Sequence, residues 1–97
     1  MAAVARTRRG DHVLWGRGTL MSRCLLLGLP VASACSGRGA CGKCVMTVVQ
    51  GAEALEPPSE REREVLARND ASPDQRLGCQ CRMPAPEADL LITTGYW

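Results

Sequence analysis

The stretch CSGRGACGKC, residues 35–44, decides the fold of this 97-residue chain. It places Cys35, Cys41 and Cys44 within ten residues, and a fourth thiol, Cys79, follows after a further 34 residues. Three sulfur ligands in one loop and a fourth from a distant segment favour an object wider than a single metal ion. We therefore interpret the loop as the binding site of an inorganic cluster.

The glycines of this loop support that interpretation. Gly37, Gly39 and Gly42 lie between the cysteines, where they allow positive φ angles and remove Cβ atoms from the path of a bound group. Backbone N–H groups can then point inward, and an anionic iron-sulfur core requires such donors because its sulfur atoms carry charge away from water.

Composition limits the alternatives. A chain of 97 residues has room for one domain, residues 1–97, with a thin core. Hydrophobic residues make up 45% of the chain, but aromatic residues only 3%, and no Phe is present. No run approaches the roughly 18 apolar residues that cross a bilayer, so we expect no integral membrane protein. Six cysteines are the obvious additional support for so small a fold.

The remaining sequence predicts an α+β unit. A first helix is expected over residues 19–27, with Thr19 as its N-cap, and a second from Ser59 to about residue 68. Ser59 and Glu62 have the spacing of a capping box. Strands are predicted from short β-compatible segments at residues 2–7, 13–15, 45–49, 77–82 and 90–94.

Together these pieces resemble the 2Fe-2S ferredoxins of β-grasp fold. Five residues separate Cys35 from Cys41, which is closer to the adrenodoxin-like type than to the plant type. Ferredoxin domains of larger reductases and of reductive activators are also similar. The matching segments are residues 18–21, 35–44, 45–49 with Gly51, 58–66 and 76–80. The resemblance implies a mixed sheet, one main helix and a long cluster loop, with Cys35, Cys41, Cys44 and Cys79 as ligands of a 2Fe-2S cluster.

The resemblance also implies a function. We expect an electron-transfer protein rather than an enzyme, a cytoplasmic monomer that carries single electrons from a ferredoxin reductase to an acceptor such as an oxygenase in transient complexes. Neither nucleic acid nor a membrane is expected as a partner. The alternative is a module that docks on an enzyme according to its redox state and protects or regulates it. Turnover distinguishes the two, since a docking protein acts stoichiometrically.

Two other uses of the cysteines fit the sequence less well. A disulfide scaffold is typical of secreted domains, and the N-terminus carries no convincing export signal. A structural zinc site usually presents two close Cys-x2-Cys pairs, whereas only Cys41 and Cys44 form one here. Iron content and colour separate a zinc module from an iron-sulfur protein.

Charge is distributed unevenly along the chain. Residues 1–43 carry seven Lys or Arg and one acid, net +6, whereas residues 44–97 carry five and nine, net −4. The N-terminal cations are scattered and lack the aromatic interleaving of nucleic-acid modules. Glu60, Glu62 and Glu64 alternate with arginines, which predicts an exposed helix with local charge pairs. We therefore expect partner binding to depend only modestly on salt.

Four further side chains carry expectations. Cys24 lies on the apolar side of the first helix, where a thiol is usually a small buried hydrophobe. Cys81 shares a face of the predicted strand with Cys79, but the family motif favours Cys79 as the ligand. Trp15 is expected to pack locally and Trp97 to belong to a mobile tail.

Overall fold

The computed structural model describes residues 2–31, 43–85 and 87–97. Within them the chain forms two helices, five strands and a short 3-10 turn at Ala52–Ala54. In chain order the main elements are β1 (Ala3–Thr7), β2 (Gly10–Leu14), α1 (Leu20–Leu26), β3 (Val45–Gln50), α2 (Glu60–Arg68), β4 (Gln75–Leu77) and β5 (Leu90–Thr93). Neither helix of this described part has the length and apolar character that crossing a bilayer requires.

The strands build one mixed sheet in the order β2-β1-β5-β3-β4. Strands β1 and β5 are parallel, and every other neighbouring pair is antiparallel. The sheet therefore has the mixed character that the sequence predicts. Its edge strand β4 pairs with β3 in a register that sets Val45 opposite Leu77. This register brings the residue before β3 close to the residues after β4.

One face of the sheet forms the core. Alternate residues of β1, β3 and β5 are buried, as expected for strands with one side packed and the other wet. Helix α1 adds Leu20 and Cys24, both fully buried, to this face. The predicted burial of Cys24 is confirmed.

Local sequence explains where the helices begin. Thr19 Oγ1 accepts from the Ser22 backbone N–H at 3.1 Å, and Ser22 Oγ accepts from the Thr19 N–H at 3.0 Å, a reciprocal capping box. Ser59 Oγ accepts from the Glu62 N–H at 3.2 Å, so the predicted N-cap of α2 is confirmed. The Glu62 carboxylate, however, turns away from Ser59 toward β4.

The structure corrects three predictions. The strand expected at residues 77–82 is instead β4, Gln75–Leu77, followed by a turn. Trp97 is no loose tail: its ring is buried in the core, and its indole N–H donates to the Pro30 carbonyl at 2.6 Å. Trp15, which the sequence predicts to pack locally, is mostly exposed.

Candidate metal centre

Cys44 and Cys79 meet where β3 begins and β4 has just ended. Their Sγ atoms lie 3.2 Å apart, and both residues are buried, at 1% and 6% exposure. Val65 and Leu77 are buried in the same cluster of side chains. The pairing of β3 with β4 explains the contact, because the Gly78 N–H donates to the Cys44 carbonyl at 3.0 Å and so continues the ladder to the cysteines.

The turn that carries Cys79 is anchored by helix α1. The Met21 N–H donates to the Gly78 carbonyl at 3.0 Å, and the Leu20 N–H donates to the Cys81 carbonyl at 2.8 Å. The first amides of a helix have no partner within the helix, so these carbonyls satisfy them. Helix and turn therefore fix each other's position.

Gly78 is required at the tightest point of this turn. A Cβ atom there would lie 2.6 Å from Met46 Cε and 3.2 Å from the Cys44 carbonyl oxygen. Both atoms belong to buried residues of β3 and the segment before it. A larger residue would therefore push the turn, and Cys79 with it, away from Cys44.

The donor set suits a thiolate-bound metal centre. The Cys44 and Cys79 sulfurs are in contact, and Gln80 Nε2 lies 3.7 Å from Cys79 Sγ, where it can donate to a charged sulfur. Within residues 2–31, 43–85 and 87–97, no group of three or more His, Cys, Asp or Glu side chains is arranged to hold a metal ion. The predicted ligands Cys35 and Cys41 lie outside the described residues.

Comparison with known proteins identifies the family. A family model described as a 2Fe-2S iron-sulfur cluster binding domain matches residues 12–84. The chain belongs to this 2Fe-2S ferredoxin family. Its members bind a 2Fe-2S cluster and carry electrons, so this ferredoxin does the same and is not an enzyme.

Similar proteins occur both alone and inside larger chains. The 2Fe-2S ferredoxin-5 of Aquifex aeolicus is 33% identical over 75 residues, which cover 76% of this chain and 77% of that one. One component of the Na(+)-translocating NADH-quinone reductase of Klebsiella pneumoniae is 39% identical over 75 residues, which cover 77% of this chain but only 16% of that much longer one.

Solved structures share the fold. The ISC-like [2Fe-2S] ferredoxin of Pseudomonas putida superposes with a TM-score of 0.82 at 22% identity, covering 100% of this chain and 94% of that one. The Trichomonas vaginalis ferredoxin superposes with a TM-score of 0.79 at 24% identity, covering 97% and 100%. These neighbours confirm the predicted β-grasp fold.

Glu62 of this ferredoxin does not lie where its sequence pattern predicts. It is 1% exposed rather than part of a solvated charge run. Its carboxylate accepts from Arg76 Nε at 2.7 Å, Arg76 Nη2 at 3.0 Å and the Leu77 N–H at 3.1 Å. This contact raises the pKa of the Arg76 guanidinium above its ordinary value. Glu62 thus ties α2 to the strand that leads directly to Cys79.

A signal for this burial was present in the sequence. Glu62 stands three and four residues before Val65 and Leu66, the two core contacts predicted for α2. Residues at this spacing share one helix face, so Glu62 lies on the apolar side. An acid on that side needs a buried cation, and Arg76 supplies it.

The structure separates the two neighbouring cysteines of this ferredoxin. Cys79 lies in the turn of residues 78–80 and Cys81 directly follows it, so the two do not share one face of a strand as the sequence predicts. Cys79 packs with Cys44, whereas Cys81 belongs to the main core and lies 4.0 Å from Glu62 Oε2. Burial raises the pKa of the Cys81 thiol to about 12, with the Arg76 charge acting in the opposite direction.

Proposed function

We propose that Cys35, Cys41, Cys44 and Cys79 are the four ligands of the 2Fe-2S cluster, within one domain of residues 1–97. The observation that carries this proposal is the buried pair of Cys44 and Cys79 sulfurs, 3.2 Å apart. Two thiolates on one tetrahedral metal with bonds of about 2.3 Å lie about 3.8 Å apart. A small adjustment therefore lets both sulfurs bind the same iron.

Two matched variants test this ligand set. In Cys79→Ser we expect loss or severe destabilisation of the cluster, because the hydroxyl is a poor iron ligand. In Cys81→Ser we expect the visible absorption of the cluster to be retained, since that side chain packs in the core rather than with Cys44. Visible spectra and iron content of both purified variants provide the measurement. Retention in Cys79→Ser with loss in Cys81→Ser contradicts the assignment.

We further propose that the protein shuttles electrons between a ferredoxin reductase and an acceptor enzyme such as an oxygenase, as a cytoplasmic monomer. A bound 2Fe-2S cluster supplies uptake and release of one electron at a time. The chain fixes the position of Cys79. Hydrogen bonds with α1, with β3 and with Glu62 hold the turn that carries it and the strand before it. A fixed ligand geometry suits repeated electron exchange, since little protein rearrangement accompanies each step.

Turnover is the test of this role. Catalytic amounts of the holoprotein are mixed with NADPH, a ferredoxin reductase and excess cytochrome c, and cytochrome reduction is followed by absorbance. We expect many electrons transferred for each molecule of ferredoxin, and none with Cys79→Ser as control. Reduction that stops after one electron per molecule would contradict a shuttle and favour a stoichiometric docking role.

A further inference from the structure

A strongly exposed apolar ridge extends from Trp15, just after β2, to Leu26, the last residue of α1. Trp15 and Leu26, at 66% and 70% exposure, are the two most exposed large hydrophobic residues of the described chain. Between them lies a hollow of about 230 Å³, lined by Trp15, Arg23, Leu26 and Leu27. A second hollow of about 160 Å³ is lined by Trp15 as well, together with residues that include Val13 and Met83. We call Trp15, Arg23 and Leu26 the Trp15 ridge.

The charge at the Trp15 ridge is positive. The sequence contains no Asp or Glu between Asp11 and Glu53, and neither hollow is lined by an acid among the described residues. Arg23 Nε is shielded from solvent and has no hydrogen-bond partner within that described part. The Arg23 side chain lines the first hollow, so its guanidinium charge lies beside whatever occupies that space. A carboxylate is the acceptor that also complements the charge.

The size of the hollow limits what can occupy it. An apolar cavity of about 150 Å³ is enough to hold a benzene ring. The hollow of about 230 Å³ therefore has room for one phenyl or isobutyl group and for a carboxylate beside Arg23. A partner protein matches this hollow if its surface presents a bulky apolar side chain with an acidic side chain next to it.

The ridge also lies near the cluster. Helix α1 begins against the turn of Cys79, with the Leu20 N–H donating to the Cys81 carbonyl. Leu26 follows Leu20 by six residues, about 9 Å along the helix axis. A protein that covers both Trp15 and Leu26 therefore spans the length of α1, whose first residues contact the turn that carries Cys79.

We propose that the Trp15 ridge is the docking surface for the redox partner, and that this partner presents a carboxylate next to a bulky apolar side chain. The proposal rests on the proposed electron-carrier function. It places the recognition surface on α1 and the segment before it, rather than on the charged helix α2. One or two cations at the contact agree with a modest salt dependence.

The probe for the ridge is 4-phenylbutyrate, which combines one ring with one carboxylate. It is titrated into the ¹⁵N-labelled oxidised holoprotein while the two tryptophan indole N–H resonances are followed by NMR. We expect a saturable shift of the Trp15 resonance, no shift of the buried Trp97, and about two- to fivefold weaker binding to Arg23→Gln. Arg68→Gln, on α2, is the charge-matched control and should bind normally. Equal binding to both arginine variants, or no shift of Trp15, overturns the proposal.

A second measurement tests the partner itself. With the reductase that supports turnover, Leu26→Ser should raise the KM for this ferredoxin at least about fivefold without changing its iron content or midpoint potential. Val49→Ser, an exposed apolar residue on β3, is the matched control and should leave KM unchanged. Equal KM values for the two variants overturn the docking proposal, whereas absence of turnover by the wild type overturns the electron-carrier function. Concentration-dependent dimerisation that Leu26→Ser abolishes assigns the ridge to a second copy of this chain and also overturns the proposal.

Discussion

Replacing Glu62 by glutamine is expected to destabilise the protein by about 3 kcal/mol, because it breaks a buried ion pair. The carboxylate accepts three hydrogen bonds, two from Arg76 and one from the Leu77 N–H, all between 2.7 and 3.1 Å. Glutamine keeps one acceptor oxygen, but its NH2 group is itself a hydrogen-bond donor. It therefore cannot accept the hydrogen bonds that the second carboxylate oxygen of Glu62 accepts. Arg76 retains some exposure, so water offsets part of the loss and the lower end of the usual 3–5 kcal/mol applies.

For a domain of this length, about 3 kcal/mol corresponds to a fall in the unfolding midpoint of about 12–24 °C. The measurement is thermal unfolding at one scan rate, with far-UV circular dichroism for the fold and visible absorption for the cluster. Both signals should shift together, because Glu62 binds the residue two positions before Cys79. Glu64→Gln, an exposed neighbour on the same helix, is the control and should shift the midpoint by only a few degrees. Equal midpoints for the two variants would refute the reasoning.

Three further tests concern the turn that carries Cys79 and the main core. Gly78→Ala should lower the free energy of unfolding by about 1–3 kcal/mol, because the added Cβ would lie 2.6 Å from Met46 Cε. The additional substitution Met46→Val should recover part of this loss. A Gly78→Ala protein with the melting temperature of the wild type would contradict the predicted clash. Burial raises the pKa of Cys24 from 9.0 to about 12, so the unfolded thiol ionises first and stability is lost as pH rises above 9. Relative to Cys24→Val, urea unfolding should show about 2 kcal/mol of this loss between pH 8 and 10.5, and parallel pH profiles contradict it. Trp97→Ala should lower stability by about 3–5 kcal/mol in the same assay, whereas a loose tail predicts no change.

Most of the fold could be predicted from local sequence. The N-caps Thr19 and Ser59, the glycine that ends β3 and the β-branched run of β3 itself are local signals, and each marks an element close to where it is found. Gly51 has a φ of +88°, and a Cβ there would collide with the Asp89 carbonyl. This single glycine therefore indicates in the sequence where β3 ends. The strand predicted at residues 77–82 was wrong because the pattern of alternating side chains does not distinguish a strand from a turn packed against a helix end.

The sequence proposes ligands for the candidate site, but it does not reveal the contacts that support them. The spacing of the cysteines depends only on the chain, and for Cys44 and Cys79 the structure brings the two sulfurs together. The role of Glu62 depends on Arg76, fourteen residues away in sequence. The sequence pattern did not reveal this role, because a capping box with Ser59 already explained an acid at position 62. The prediction for Trp97 failed for the same reason, because its partner, the Pro30 carbonyl, is 67 residues distant in sequence. Contacts between distant segments follow from the packing of the whole sheet.

The central claim is that four cysteine sulfurs hold a pair of irons that takes up one electron. Electron paramagnetic resonance of the folded protein, before and after reduction with dithionite, tests this most directly. We predict no signal in the oxidised state and, after reduction, the signal of a one-electron-reduced 2Fe-2S centre at about one spin per chain. A folded, anaerobically prepared protein that gives no such signal on reduction would contradict the account.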